Sequence, residues 1–243
     1  MVWIFALVAT IIPAMALGAW GTYEVVEDVK VTELVTRMCT LNGAEDKVPK
    51  VLDAVENYER CVIGLFKDET LLQEVAAAIR NGDLNGVYKK YCSRAPQLAN
   101  CSFTLLDSIA LCGGNAAITN LPAARNVVDQ LLGFICHNDG ERIALFIQEG
   151  GPQCFQQNAA NLAKCTAYVV EEIESSQAPN ERCKVYDHAS NCIVSTLSGC
   201  EPPTPANMTQ ALFANVRQAM PCAGADDTFR MYKRWLEGRS DSN

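Results

Sequence analysis

Twelve cysteines with no close pair constrain this chain more than any other feature. They are Cys39, Cys61, Cys92, Cys101, Cys112, Cys136, Cys154, Cys165, Cys183, Cys192, Cys200 and Cys222. All follow an uncharged apolar leader, VWIFALVATIIPAMALGA at 2–19, in which Ala14, Ala16, Gly18 and Ala19 suit a signal peptidase. Residues 1–19 therefore read as a secretory signal peptide, although no Lys or Arg precedes the apolar run. Pro13 and the lack of a basic flank set the leader apart from a membrane anchor. In an oxidising compartment an even cysteine count predicts six disulfides and no free thiol. Zinc sites space two cysteines about two to four residues apart, whereas the nearest pair here is Cys192 and Cys200. No metal or other cofactor is expected. The absence of C-x-x-C also removes a thioredoxin-like redox motif.

Apolar residues recur with a helical period. Val48, Val51, Leu52, Val55, Val62, Leu65 and Phe66 form one stripe. Similar stripes run over 25–39, 70–79, 97–112, 121–137, 141–149, 153–173, 180–197, 205–219 and 226–237. Gly150-Gly151-Pro152 ends one helix and opens the next, and Thr204-Pro205 reads as an N-cap with a first-turn proline. Gly82, Gly86 and Gly113-Gly114 mark further breaks. CIVSTL at 192–197, at the end of the 180–197 stripe, is the one run conceded as an alternative short strand. The expected fold is all-α: a compact single domain over 20–243 of about nine to eleven helices, cross-linked by about six disulfides. CSRAPQLANC at 92–101 and CKVYDHASNC at 183–192 echo one another, a weak hint of internal duplication.

Two cysteine pairs, Cys101 with Cys112 and Cys154 with Cys165, are eleven residues apart. Eleven residues make three helical turns plus about 20°, so each pair shares a helix face. The rise over that span is about 16 Å, beyond the roughly 7 Å that bridged Cα atoms tolerate. Each cysteine must therefore reach a different element. The pairing itself stays open, since twelve cysteines allow about ten thousand arrangements.

The leader, the helical body and the cysteine layout resemble the insect 27 kDa haemolymph glycoproteins, above all at FIQEGGPQCF (146–155) with Cys165 following and at the YC…NC…C run over 91–112. The resemblance implies secretion into haemolymph and glycosylation. It implies no catalytic residues. Insect odorant-binding proteins need a close Cys-x3-Cys pair that this chain lacks.

The net charge of −8 argues against nucleic acid and anionic membranes as partners, because both reward clustered Lys and Arg. After signal cleavage no stable membrane association is expected. Acceptor triplets for N-glycosylation occur at Asn100-Cys101-Ser102 and Asn207-Met208-Thr209. With 16 asparagines and 23 serines and threonines among 243 residues, about 1.5 triplets arise by chance, so two is no excess. Asn207, near a proline-rich helix start, reads as the better acceptor.

NGDLNG at 81–86 places Asn81, Asp83, Asn85 and Gly86 like an EF-hand loop, but Cys92 stands where the bidentate Glu belongs, so a turn between helices is the plainer reading. Only His137 and His188 are available for histidine chemistry. CHNDG (136–140) and YDHASNC (186–192) depart from the Cys-Cys-x-x-His-Asp of secreted phospholipases, so a His-dependent hydrolase is a remote alternative. Glu171-Glu172 and Asp226-Asp227 read as solvated faces. In the last stretch, Phe229, Tyr232, Trp235 and Leu236 oppose Arg230, Lys233 and Arg234, an amphipathic helix that docks on the core or on a partner. The expectation is a non-enzymatic binding protein that carries an apolar small molecule or lipid between rigid helices. The alternative is a storage, defence or interaction protein with a solid core. No protein partner is indicated.

Overall fold

The computed structural model describes residues 28–66, 68–165 and 179–220. The leader 1–19, the pairs Glu171-Glu172 and Asp226-Asp227 and the amphipathic stretch 226–237 lie outside them. Among the described residues the fold is all-α. The helices are α1 (Asp28–Leu41), α2 (Val48–Phe66), α3 (Asp68–Asn81), α4 (Leu84–Cys92), α5 (Ala95–Ala110) and α6 (Gly114–Ile135). They continue with α7 (Glu141–Gln148), α8 (Gly151–Gln157), a helical run α9 over 159–165, α10 (Pro179–Leu197) and α11 (Thr204–Ala219). Two 3-10 turns, Glu45–Lys47 and His137–Gly140, join α1 to α2 and α6 to α7. No described helix is long and apolar enough to cross a membrane.

Helix α5 divides the core. It packs between α2 and α6. Leu105 and Ile109 join Val35, Val51 and Ala54 in one cluster with α1 and α2. Leu98 and Leu106 face the larger cluster, where Val128 and Leu131 of α6 meet Leu212, Phe213 and Val216 of α11. Ser102 is fully buried between them, and its hydroxyl donates to the Leu98 carbonyl at 2.9 Å, so no polar group is stranded there.

Five disulfides join described residues: Cys39–Cys112, Cys61–Cys101, Cys92–Cys136, Cys154–Cys200 and Cys165–Cys192. Cys183 is also disulfide-bonded, and Cys222 lies outside the described residues. Cys101 and Cys112 do reach different elements, α2 and α1, with Cys112 in the turn just past α5.

The second pair differs from the expectation. Cys154 and Cys165 are not on one helix, because Asn158 breaks it. The Asn158 backbone leaves the helical region at φ −102° and ψ 7°, and its side-chain amide donates to the Cys154 carbonyl at 2.9 Å beside its own backbone N–H at 3.2 Å. Both cysteines then reach one element and its exit: Cys165 bonds α10 at Cys192, and Cys154 bonds Cys200 just beyond it.

Other boundaries moved for local reasons. The 192–197 run is helical, as the 180–197 stripe implies, and the strand alternative falls. Its β-branched residues continue the buried face of Val185, Tyr186, Ala189 and Leu197 in α10, so packing overrides β-propensity. Helix α6 begins at Gly114 rather than 121, leaving Pro122 inside it. Gly86 is not a break but sits in the first turn of α4, a helix absent from the sequence stripes. Thr204 is the first residue of α11 rather than its cap, and its hydroxyl instead donates to Glu149 at 3.2 Å. The two C-x8-C stretches fold differently: Cys92 and Cys101 straddle the α4–α5 break, whereas Cys183 and Cys192 lie within α10.

Candidate functional site

Three helix breaks converge on one polar cleft. The first is the α7–α8 corner. Helix α7 ends at Gln148, and Gly150 turns the chain in the left-handed region at φ 75°. Gly151 follows because nothing larger fits: an added Cβ would lie 2.4 Å from the Phe146 ring. That ring packs edge-on against Phe155 at 5.7 Å. The second break is Asn158, between α8 and α9. The third is the turn from α10 to α11, which contains Gly199, Cys200 and a cis Glu201–Pro202 peptide.

The Cys154–Cys200 disulfide ties the first helix pair to the third turn with Cα atoms 5.8 Å apart. Beneath it Leu197 and Ala206 are buried with Cys154, closing the floor with apolar contact. Above it lies a cleft of about 380 Å³. Its described lining includes Glu149, Gln153, Gln157, Asn158 and Glu201, with no Lys, Arg or His among the described lining residues. Glu149 also accepts from Thr204, which fixes the α7–α8 corner to the start of α11. Carboxylates and carboxamides can accept several hydrogen bonds here, and a ligand of a few hydroxyl or amino groups fits the volume.

Sequence reasoning found the glycine-proline break and both cysteines of this site but not its polar lining. Gln153 and Gln157 are one helical turn apart on α8, and that i, i+4 pair was the available signal.

The other candidates do not converge on it. Asp83 of NGDLNG caps α4, accepting from the Gly86 amide at 3.1 Å, while Gly82 turns the chain at φ 75°. Those are the interactions of a turn between helices. Among the described residues no group of three His, Cys, Asp or Glu side chains is placed to hold a metal ion. His137 is exposed at the exit of α6, and its neighbour Asp139 pairs with Lys89 at 2.9 Å. His188 is exposed on α10, and its neighbour Asp187 pairs with Arg217 at 2.7 Å. Each carboxylate beside a histidine thus already neutralises a cation. Asn100 is exposed on α5, whereas Asn207 is half-buried in the first turn of α11, the reverse of the sequence ranking.

Comparison with known proteins places the chain. Residues 26–222 match a family described as "Protein of unknown function (DUF1397)". The chain is 40% identical over 198 residues to the "27 kDa glycoprotein" of Bombyx mori, covering 79% of this chain and 87% of that protein. It is 39% identical over 198 residues to the "27 kDa hemolymph protein" of Galleria mellonella, covering 79% and 84%. It is 36% identical over 197 residues to the "27 kDa hemolymph glycoprotein" of Manduca sexta, again covering 79% and 84%. No solved structure matches significantly. The protein is secreted and extracellular, as its haemolymph relatives and its disulfides require. With most of its length matched and the FIQEGGPQCF stretch forming one wall of the cleft, the chain belongs to the insect 27 kDa haemolymph glycoprotein family.

Proposed function

We propose that this haemolymph protein acts by binding, and that its ligand is a small, polar, donor-rich molecule held in the cleft over the Cys154–Cys200 bridge. The lining chemistry carries this reading. Glu149, Glu201, Gln153, Gln157 and Asn158 offer acceptors, and no cationic side chain is among the described lining residues to meet a phosphate or carboxylate. A polyhydroxyl or amine ligand suits such a site, and a fatty-acid headgroup does not. The apolar faces that suggested a lipid carrier are packed against one another in the described clusters. Binding without catalysis is the reading, since Asp139 and Asp187 are already paired with Lys89 and Arg217.

Saturation-transfer NMR with a panel of neutral sugars, polyamines and a fatty acid tests this. Signals from a sugar or amine that weaken in Glu201→Gln and vanish in Gln157→Trp support the cleft. Transfer to the fatty acid alone, untouched by Gln157→Trp, restores the apolar-carrier reading. Silence across the panel, with equal native and denatured masses, favours a storage or defence protein that meets macromolecules through its surface.

A further inference from the structure

The folded chain treats its two glycosylation triplets differently. Asn100 lies on the outer face of α5, in an exposed stripe with Gln97, Thr104 and Asp107 at three- and four-residue spacing. Helices α2 and α6 pack on the other sides of α5, so a glycan on Asn100 grows away from the core. Asn207 is half-buried, with Pro205, Ala206 and Thr209 buried around it. A glycan there would have to push between α11 and its neighbours.

The hydroxyl of the preferred triplet is inaccessible once α5 has docked. Ser102 is fully buried and bonded to the Leu98 carbonyl. The residue between, Cys101, is half-buried and bonded to Cys61. A transferase needs the triplet free of its helix, so modification must act on the unfolded chain. Cys61 precedes Cys101 by 40 residues and is synthesised before it, so closure can begin as soon as Cys101 enters the oxidising compartment.

We propose that Asn100 carries the N-linked glycan, that Asn207 stays bare, and that transfer to Asn100 competes with closure of the Cys61–Cys101 disulfide. In the transfer, the Asn100 Nδ2 bonds to C1 of a lipid-pyrophosphate-linked oligosaccharide. The C1–O bond to the pyrophosphate breaks, the lipid pyrophosphate departs with that electron pair, and the amide nitrogen loses one proton to base. In the competing reaction two thiols are oxidised by the compartment's disulfide carriers, which are reduced to dithiols.

The test uses the full chain expressed in insect cells. Enzymatic deglycosylation in heavy-oxygen water converts a glycan-bearing Asn to a mass-tagged Asp, read by peptide mapping. The tag is expected on Asn100 and not on Asn207. Tagging of Asn207, alone or together with Asn100, or of neither, overturns the site assignment. A membrane-permeant thiol oxidant, added during a labelling pulse, is expected to cause a loss of Asn100 occupancy in the wild type and none in Cys61→Ala. Occupancy is read on newly made, cell-associated chains, so the result stands even if the variant fails to fold. Equal loss in both chains, or no loss in either, overturns the competition.

Discussion

Replacing Gly140 by alanine tests how tightly the α6–α7 turn is seated on α4. Gly140 is buried with φ 92° at the end of the His137–Gly140 turn. An added Cβ would stand 2.6 Å from the Tyr88 Cβ, 3.3 Å from the Tyr88 carbonyl carbon and 3.4 Å from the Cys92 Sγ. None of these atoms can swing away. The first two are fixed to the backbone of α4, and Cys92 is bonded to Cys136. Either α4 or the turn must shift. The left-handed backbone costs alanine about 1 kcal/mol, and overpacking a filled site adds roughly 1–3 kcal/mol. Gly82→Ala isolates the first contribution, because Gly82 has φ 75° but open space around its Cβ position. The expected losses are about 3 kcal/mol for Gly140→Ala and about 1 kcal/mol for Gly82→Ala. Urea unfolding with the disulfides intact measures both, and at this chain length the first corresponds to a Tm drop on the order of 10 °C. If Gly140→Ala is no worse than Gly82→Ala, the close approach of the turn to Tyr88 is wrong.

Opening a disulfide by paired alanine substitution should cost more at Cys39–Cys112, which spans 73 residues, than at Cys165–Cys192, which spans 27. Loop entropy gives about 4.4 against 3.6 kcal/mol, and the full burial of Cys39 and Cys112 widens the gap; equal urea midpoints would count against this ordering. Burial raises the phenol pKa of Tyr88 and of Tyr186 above its ordinary value of 10.0. A raised folded pKa gives stability that is full below the unfolded pKa and lost as pH climbs past it, so the urea midpoint should hold to about pH 9 and fall above about pH 10, less steeply in Tyr88→Phe. Gly133→Ala, at an exposed position of α6 with open space for a Cβ, should raise the unfolding free energy from urea titration by about 0.5–1 kcal/mol, and a loss there would mean that α6 is not regular at Gly133.

The long stripes were legible because burial follows the helical period directly. Helix α2 has the bounds that its stripe implies, 48–66. Helix α4 was not, for a specific reason. Its buried face is only Leu84, Tyr88 and Tyr91, and NGDLNG at its start carries the residues of a turn. The Asp83 cap, which begins the helix, looks in sequence like part of a cation loop. The break at Asn158 was hidden for the opposite reason. Apolar residues continue through Leu162 and Cys165 at helical spacing, and only the backbone of Asn158, at φ −102° and ψ 7°, shows that the helix restarts. The candidate site was half legible. Its glycine corner and cysteines are local signals, but Glu201 comes to the cleft only through the Cys154–Cys200 pairing, which spacing alone left open.

The pairing also decides how the cleft is held. Cys39–Cys112, Cys61–Cys101 and Cys92–Cys136 close within 39–136, and Cys154–Cys200 and Cys165–Cys192 close within 154–200. No described disulfide crosses between these sets. Noncovalent packing joins them, in large part the seam of α6 against α11, where Leu131 and Val128 meet Phe213 and Val216 and the Asn215 side chain donates to the Gln130 carbonyl at 2.9 Å. The cleft is pinned by a bridge of the second set, although Pro205 of α11 lines it and Ala206 closes its floor, so a defect in the seam should disturb the cleft less than it disturbs α6. Leu131→Ala removes a side chain that is 1% exposed and should cost about 2–5 kcal/mol of global stability. Native-state hydrogen exchange should then quicken along α6 and α11. The amides of Cys154 and Asn158, bonded to the Gly150 and Cys154 carbonyls beside the disulfide, should lose less protection than those of α6. Equal loss at both places would mean that the seam, and not the Cys154–Cys200 bridge, holds the cleft in shape.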